Sequence, residues 1–82
     1  MKVFEALYHI GHMVDAGIKG TFTLVIRDNK EKKTLFVIDT EKLTIATDNK
    51  YDWEAGQALA SALVKGYEVV ELAWKGEPTC KG

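Results

Sequence analysis

Short hydrophobic runs alternate with polar clusters between residues 20 and 47, and this stretch organises the rest of the chain. The runs are rich in Val, Ile, Thr and Phe and are separated by the clusters D-N-K-E-K-K and D-T-E-K. Runs of this length and composition, bounded by Asp, Asn and Lys, are typical of β-strands. Because the connections are short, the strands are predicted to form an antiparallel meander.

The side-chain pattern differs among the predicted strands. In the first strand Phe22, Leu24 and Ile26 alternate with mostly polar residues, which predicts one buried and one mostly polar face. The second strand, residues 35–38, is apolar on both faces, which indicates a central strand with some cover on each side. The third strand, residues 43–47, alternates again.

Helical periodicity flanks the strands. Residues 3–16 carry apolar side chains at steps of three and four, and Gly17 is placed to end that helix. Residues 53–65 predict a second helix with Asp52 as its N-cap and Gly66 after its last turn. The expected buried stripes are Val3, Ala6, Leu7, Ile10 and Val14 on the first helix, and Ala55, Gly56, Leu59, Ala60, Ala62 and Leu63 on the second.

A last strand is predicted at residues 67–74, with a break near Glu71. The order is therefore α-β-β-β-α-β, and we expect a two-layer α+β domain with both helices on one face of a largely antiparallel sheet. The domain is expected to span residues 1–76, followed by a flexible tail at 77–82. If the first strand runs up, the second helix is expected to descend and the last strand to rise.

Composition narrows the class of protein. Eighty-two residues accommodate one domain. Eleven basic and twelve acidic residues give a net charge of −1, which predicts no long-range attraction to nucleic acid or to an anionic membrane. No apolar run reaches the roughly 20 residues of a membrane helix, and no signal peptide is expected. Cys80 is the only cysteine, which excludes an internal disulfide and favours the cytoplasm.

Acidic residues are expected to gather at the top of the sheet. The turn after the first strand and the loop into the second helix should meet there. The predicted ligands of a calcium ion at this end are Asp28, Asp48, Asp52 and Glu54. Their spacing is not that of an EF-hand loop. Turn formation and helix capping are the simpler explanation of the same residues.

The bottom of the predicted sheet offers a second choice for the cation. Asp39 and Glu41 lie in the turn between the second and third strands, and Asp15 and Glu68 are expected at the same end. Both helix C-termini would point there, and their partial negative charge favours a cation. The top ranks first because it has more candidate ligands.

No pattern of residues indicates catalysis. No serine, cysteine or lysine has a recognisable activating partner in the sequence. His9 and His12 share one side of the first helix without an evident third metal ligand, which favours an exposed pair. Lys30, Lys32 and Lys33 form a turn cluster without interleaved aromatic residues, which argues against nucleic-acid binding. We expect a non-enzymatic monomer.

Three segments carry a family resemblance that covers essentially the whole chain. They read K-V-F-E-A-L-Y-H-I-G-H, T-L-F-V-I-D-T-E-K-L-T-I-A-T and W-E-A-G-Q-A-L-A-S-A-L. In these segments the chain resembles a small uncharacterised α+β protein of methanogenic archaea. Proteins of that kind are described as binding calcium through an acidic cluster outside the EF-hand family. The resemblance implies calcium binding and does not assign individual ligands.

A second, looser resemblance rests on short motifs. They are G-T-F-T-L at residues 20–24, I-A at 45–46, G-Q-A-L at 56–59 and G-Y at 66–67. Over about residues 3–70 the chain is similar to the PATAN-type domain associated with bacterial and archaeal response regulators. This resemblance implies a protein-interaction module of signalling type. Such a module would bind an unidentified protein partner through an exposed strand edge or an apolar patch.

Overall fold

The computed structural model describes residues 1–76, which form two helices and a five-stranded sheet. The elements in chain order are α1 (Val3–Asp15), β1 (Thr21–Arg27), β2 (Lys33–Asp39), β3 (Thr44–Thr47), β4 (Lys50–Tyr51), α2 (Trp53–Val64) and β5 (Glu68–Lys75). The strand order is β4-β3-β2-β1-β5, and every neighbouring pair is antiparallel. The predicted α+β class is confirmed, whereas the tail predicted at 77–82 lies outside the described residues.

Both helices pack on one face of the sheet and enclose a single hydrophobic core. The interior strand β1, between β2 and β5, buries every second side chain, as its alternation predicts. Small residues on the helices, such as Ala6 and Ala62, let the helix backbones lie close to the strands. The buried apolar residues are Val3, Ala6, Ile10, Phe22, Leu24, Ile26, Phe36, Ala55, Leu59, Ala62 and Val69.

The buried stripes of the helices are narrower than predicted. Val14, Ala60 and Leu63 are exposed rather than buried. Ala60 and Leu63 each follow a buried residue by one position, which turns them about 100° away from the sheet. Val14 lies in the last turn of α1, just before the chain leaves the helix for β1.

The direction of the last strand is opposite to the prediction. Arg27 at the end of β1 pairs with Glu68 at the start of β5, so β5 descends when β1 rises. The cause is the short strand β4, which adds one chain reversal that the sequence pattern did not reveal. Glu68 therefore lies at the top of the sheet, not at the predicted bottom end.

The predicted break in the last strand is a β-bulge. The register of β5 on β1 changes from Ile26 opposite Val69 to Val25 opposite Glu71, which leaves Val70 as the additional residue. Beyond the bulge β5 continues to Lys75, opposite Thr21.

Among residues 1–76, no helix has the length and apolar character needed to cross a membrane.

Candidate functional site

The sheet face opposite the helices, called here the open face, has no covering element within residues 1–76. Alternation along β2 directs Leu35 and Val37 to this face, because Phe36 between them is buried under the helices. Leu35 is 49% exposed, and Tyr51 on β4 is 65% exposed. β2 is the central strand of the sheet, as predicted. The cover that was expected on its second side is absent within residues 1–76.

Strand register aligns small and apolar residues across the open face. Tyr51 is opposite Ala46, Ala46 is opposite Val37, Val37 is opposite Thr23, and Thr23 is opposite Ala73. In the neighbouring row Leu35 is opposite Val25. These two rows form a continuous surface, called here the apolar band: Tyr51, Ala46, Val37, Thr23, Ala73, Leu35 and Val25. Contiguous exposed apolar surface of this kind is typical of interaction sites.

A shallow depression lies within one half of the apolar band. Its volume is about 180 Å³, and Tyr51, Ala46, Val37 and Leu35 line it together with the turn between β3 and β4. The exposed ring of Tyr51 forms one wall. An aromatic wall beside aliphatic side chains can receive an apolar side chain from another molecule.

Two cations lie side by side at the end of the apolar band. Arg27 on β1 is directly opposite Lys33 on β2. Like charges in this position are unfavourable in an isolated sheet. Within residues 1–76, the ion pairs join Glu68 to Lys2 at 3.3 Å and to the terminal ammonium group at 3.5 Å. Glu68 is opposite Arg27 on the other neighbouring strand, but its ion pairs are with Lys2 and Met1. Within residues 1–76, no ion pair involves Arg27 or Lys33, so an acidic group of another molecule could approach both.

Two of the predicted calcium ligands line one depression on the helix side of the sheet. Asp28 and Asp48 border a depression of about 230 Å³. Lys32 and Lys50 line the same depression. Their positive charge lowers the attraction of this depression for a cation. The fold thus brings two lysines beside the two acids.

The carboxylate of Asp28 is engaged in its own turn. Its Oδ1 atom accepts hydrogen bonds from the backbone N–H groups of Lys30 at 2.8 Å and Lys32 at 2.9 Å. The hydrogen bond from Lys32 is the main cause that lowers the pKa of Asp28 below its ordinary value of 3.8. The Asp28 carboxylate therefore has the turn-forming role that is the alternative to metal binding.

Asp52 and Glu54 lie away from that depression. Strand β4 carries the chain back down the sheet, and the backbone N–H of Asp52 donates to the Ile45 carbonyl at 2.7 Å. Asp52 is thus about 10 Å from the hairpin tip at roughly 3.3 Å per residue. Asp52 occupies the N-cap position of α2 as predicted, but its carboxylate makes no capping hydrogen bond. Its φ of 48° differs from the extended backbone that directs a capping side chain towards free N–H groups.

Of the second-choice acids Asp39 and Glu41, Asp39 has its carboxylate engaged in the turn. Oδ1 of Asp39 accepts hydrogen bonds from the backbone N–H groups of Glu41 and Lys42, each at 2.9 Å. The hydrogen bond from Lys42 is the main cause that lowers the pKa of Asp39. Anywhere in residues 1–76, no three His, Cys, Asp or Glu side chains lie close enough to hold one metal ion. Calcium binding stays a prediction.

The histidines of α1 are exposed, as predicted. The ring nitrogen Nε2 of His12 lies 2.8 Å from the hydroxyl oxygen of Tyr8, and the two rings meet edge to face. The contact of the His12 ring is therefore with a residue of the same helix.

Comparison of the chain with protein-family models, with curated proteins and with solved structures finds no match. Both family resemblances of the sequence stay predictions.

Proposed function

We propose that this domain is a non-enzymatic protein-interaction module of the cytoplasm that binds an amphipathic helix of another protein on the open face of its sheet. The single observation that carries the proposal is the apolar band, which register aligns across the strands on a face without cover. The opposite face of the same sheet already holds two helices, so helix-on-sheet packing suits this architecture.

The energetic basis is burial of the apolar band. Apolar surface removed from water contributes about 25 cal/mol per Å². Leu35 and Tyr51 have the most to gain, because about half or more of each side chain is exposed. Tyrosine is also among the residues that most often dominate interface energies. We expect these two residues to make the largest contribution to binding.

The charge at the end of the apolar band specifies the chemistry of the partner. Arg27 and Lys33 are direct cross-strand neighbours there. A partner helix that carries glutamate or aspartate at the matching end would relieve their repulsion and add charge-assisted hydrogen bonds. The proposed partner is therefore a helix with a leucine-rich stripe and an acidic end.

A peptide titration followed by backbone amide shifts tests the proposal. The probe is a synthetic amphipathic helix with a leucine stripe and four glutamates at one end; the comparison peptide has lysines in their place. We expect shifts at Leu35, Val37 and Tyr51 with the first peptide and weaker binding of the second. Val37→Asp should abolish the shifts. Ser61→Asp, which places the same charge on α2, is the matched control and should leave them unchanged.

Two outcomes would contradict the proposal. One is the absence of binding by the acidic-ended peptide. The other is a set of shifts centred on α1 and α2, which would move the interaction surface to the helix layer.

Calcium binding is a second candidate function, favoured by one observation. Asp28 and Asp48, from separate hairpins, border the same depression. It ranks second because Lys32 and Lys50 border that depression too. A calcium titration tests it: binding should shift the amides of residues 28–32 and 48–50 and should weaken in Asp48→Asn. Asp39→Asn is the control in the second-choice turn. No shift at millimolar calcium would remove this candidate.

A further inference from the structure

We infer that two copies of this chain pair antiparallel through residues 71–75 of β5, called here the free half of β5. The pair would form one continuous ten-stranded sheet. The inference is independent of the proposed docking of a helix, because it uses the edge of the sheet rather than its open face. It replaces the monomer expected from sequence with a symmetric dimer.

The two edges of the sheet differ. At one edge β4 is only two residues long, which protects it from pairing with another strand. At the other edge β5 has eight residues. Its start is covered by Met1, whose carbonyl accepts the N–H of Val69 at 2.6 Å and whose ammonium group donates to the Val69 carbonyl at 3.2 Å. Within residues 1–76, no segment pairs with the outer side of β5 beyond the bulge.

The free half of β5 directs backbone groups outwards at alternate residues. The bonds to Met1 show that the N–H and C=O groups of Val69 point away from β1. The additional residue Val70 shifts this alternation by one residue. Beyond it, the backbone N–H and C=O groups of Leu72 and Trp74 therefore point away from β1. These two residues supply two donors and two acceptors for a neighbouring strand.

The sequence of this segment is complementary to itself. An antiparallel pair related by a two-fold axis at Ala73 places Glu71 opposite Lys75 of the other copy, and Lys75 opposite its Glu71. Leu72 and Trp74 are opposite each other in the same register, and they are the residues that expose backbone groups. Facing side chains agree in direction as well, because Leu72 and Trp74 lie on the helix side and the two charged residues on the open side. Trp74 is 39% exposed in the single chain and would gain cover.

The neighbouring register is blocked. An axis at Leu72 would bring Lys75 opposite Val69, whose outward groups already bond to Met1. It would also place the two Glu71 side chains beside Ala73 without a cationic partner. Charge complementarity therefore selects the axis at Ala73.

Charge reversal tests both the dimer and its register. Sedimentation equilibrium of the unmodified chain across micromolar to millimolar concentrations should approach twice the 9.1 kDa of one chain. Glu71→Lys would place two lysines opposite each other at both ends of the pair, and Lys75→Glu would do the same with glutamates. Each change should weaken dimerisation about tenfold or more. The double variant restores opposite charges and should restore the dimer.

Controls separate this inference from loss of fold and from the docking of a helix. Lys50→Glu makes the same charge change at the β4 edge and should leave the dimer intact. Circular dichroism of each variant checks that the fold is retained. Val37→Asp, which tests the open face, should dimerise normally.

Amide hydrogen exchange gives an independent measurement. Leu72 and Trp74 should become more protected as the protein concentration rises, whereas Thr23 should be unaffected. A monomer at every concentration would overturn the inference. A dimer that is indifferent to both single charge reversals, or a double variant that stays monomeric, would overturn the proposed register.

Discussion

The two faces of β1 are formed by neighbouring residues of one strand, yet their surroundings differ. Phe22, Leu24 and Ile26 lie under both helices and are almost completely buried. Thr23 and Val25, between them, are only partly covered and lie on the open face. One strand thus provides stability through one set of side chains and a surface for another molecule through the other. Substitutions on the two faces should therefore affect different properties.

The largest expected effect is the loss of a core side chain. Leu24 is 0% exposed, so Leu24→Ala should lower the free energy of unfolding by about 2–5 kcal/mol. Val25→Ala, one residue away on the open face, should cost about 1 kcal/mol or less. Urea unfolding of both variants, followed by circular dichroism, measures the difference. Equal losses would mean that the open face is as important for stability as the core.

A backbone contact at the start of β1 should give the next largest effect. Gly20 has a φ of 149°, and a Cβ atom there would lie 2.5 Å from the carbonyl oxygen of Lys75. Gly20→Ala should therefore destabilise the protein by about 2 kcal/mol or more, since both the backbone and β5 must move. Gly11→Ala is the matched control on α1, where a Cβ atom has no neighbour within 4 Å.

The two glycine variants should change stability in opposite directions. Alanine at position 11 is expected to stabilise α1 by about 0.5–1 kcal/mol, because it reduces the freedom of the unfolded chain. Thermal unfolding of the pair provides the test. If Gly20→Ala leaves the stability unchanged, the end of β5 is free to move away from β1. This outcome would weaken the case for β5 as a rigid edge strand of the sheet.

The elements of the fold were predictable because their signals are local. Alternation in β1 and steps of three and four residues in α1 each report which side of an element is buried. Strand β4 has only Lys50 and Tyr51, too few residues for a pattern. Its hairpin turn has positive φ values at Asp48 and Asn49, without the glycine that marks most such turns. Because the chain reversal at β4 was not predicted, the directions expected for α2 and β5 were both wrong.

The candidate surface was less predictable than the fold, because it depends on register between distant strands. The apolar run L-F-V-I of β2 predicts a central strand with some cover on each side. An uncovered interaction face produces the same pattern, and only the positions of the helices distinguish the two. Likewise, the opposition of Arg27 and Lys33 follows from the pairing of two strands and has no signal in either strand alone.

The acidic turns should have the smallest effect on stability, and acid should loosen the ends of the sheet before the core. Hydrogen bonds lower the pKa of Asp28, with Lys32 as the main donor, and a hydrogen bond from the Lys2 side chain is the main cause that lowers the pKa of Glu68. A carboxyl whose pKa is lower in the folded state stabilises the fold above its ordinary pKa, and this contribution disappears as the pH falls through the folded value.

For Asp28 the loss should therefore begin near its ordinary value of 3.8 and continue below it. Amide exchange at residues 28–32 should accelerate relative to Leu24 as the pH is lowered from 6 to about 3. Asp28→Asn should reduce this acid sensitivity. Asp48→Asn, in the next hairpin, removes a carboxylate that accepts no hydrogen bond from residues 1–76 and is the matched control. If the amides of residues 28–32 and of Leu24 lose protection together, the turns and the core unfold as one cooperative unit. The turns would then not differ from the core in their sensitivity to acid.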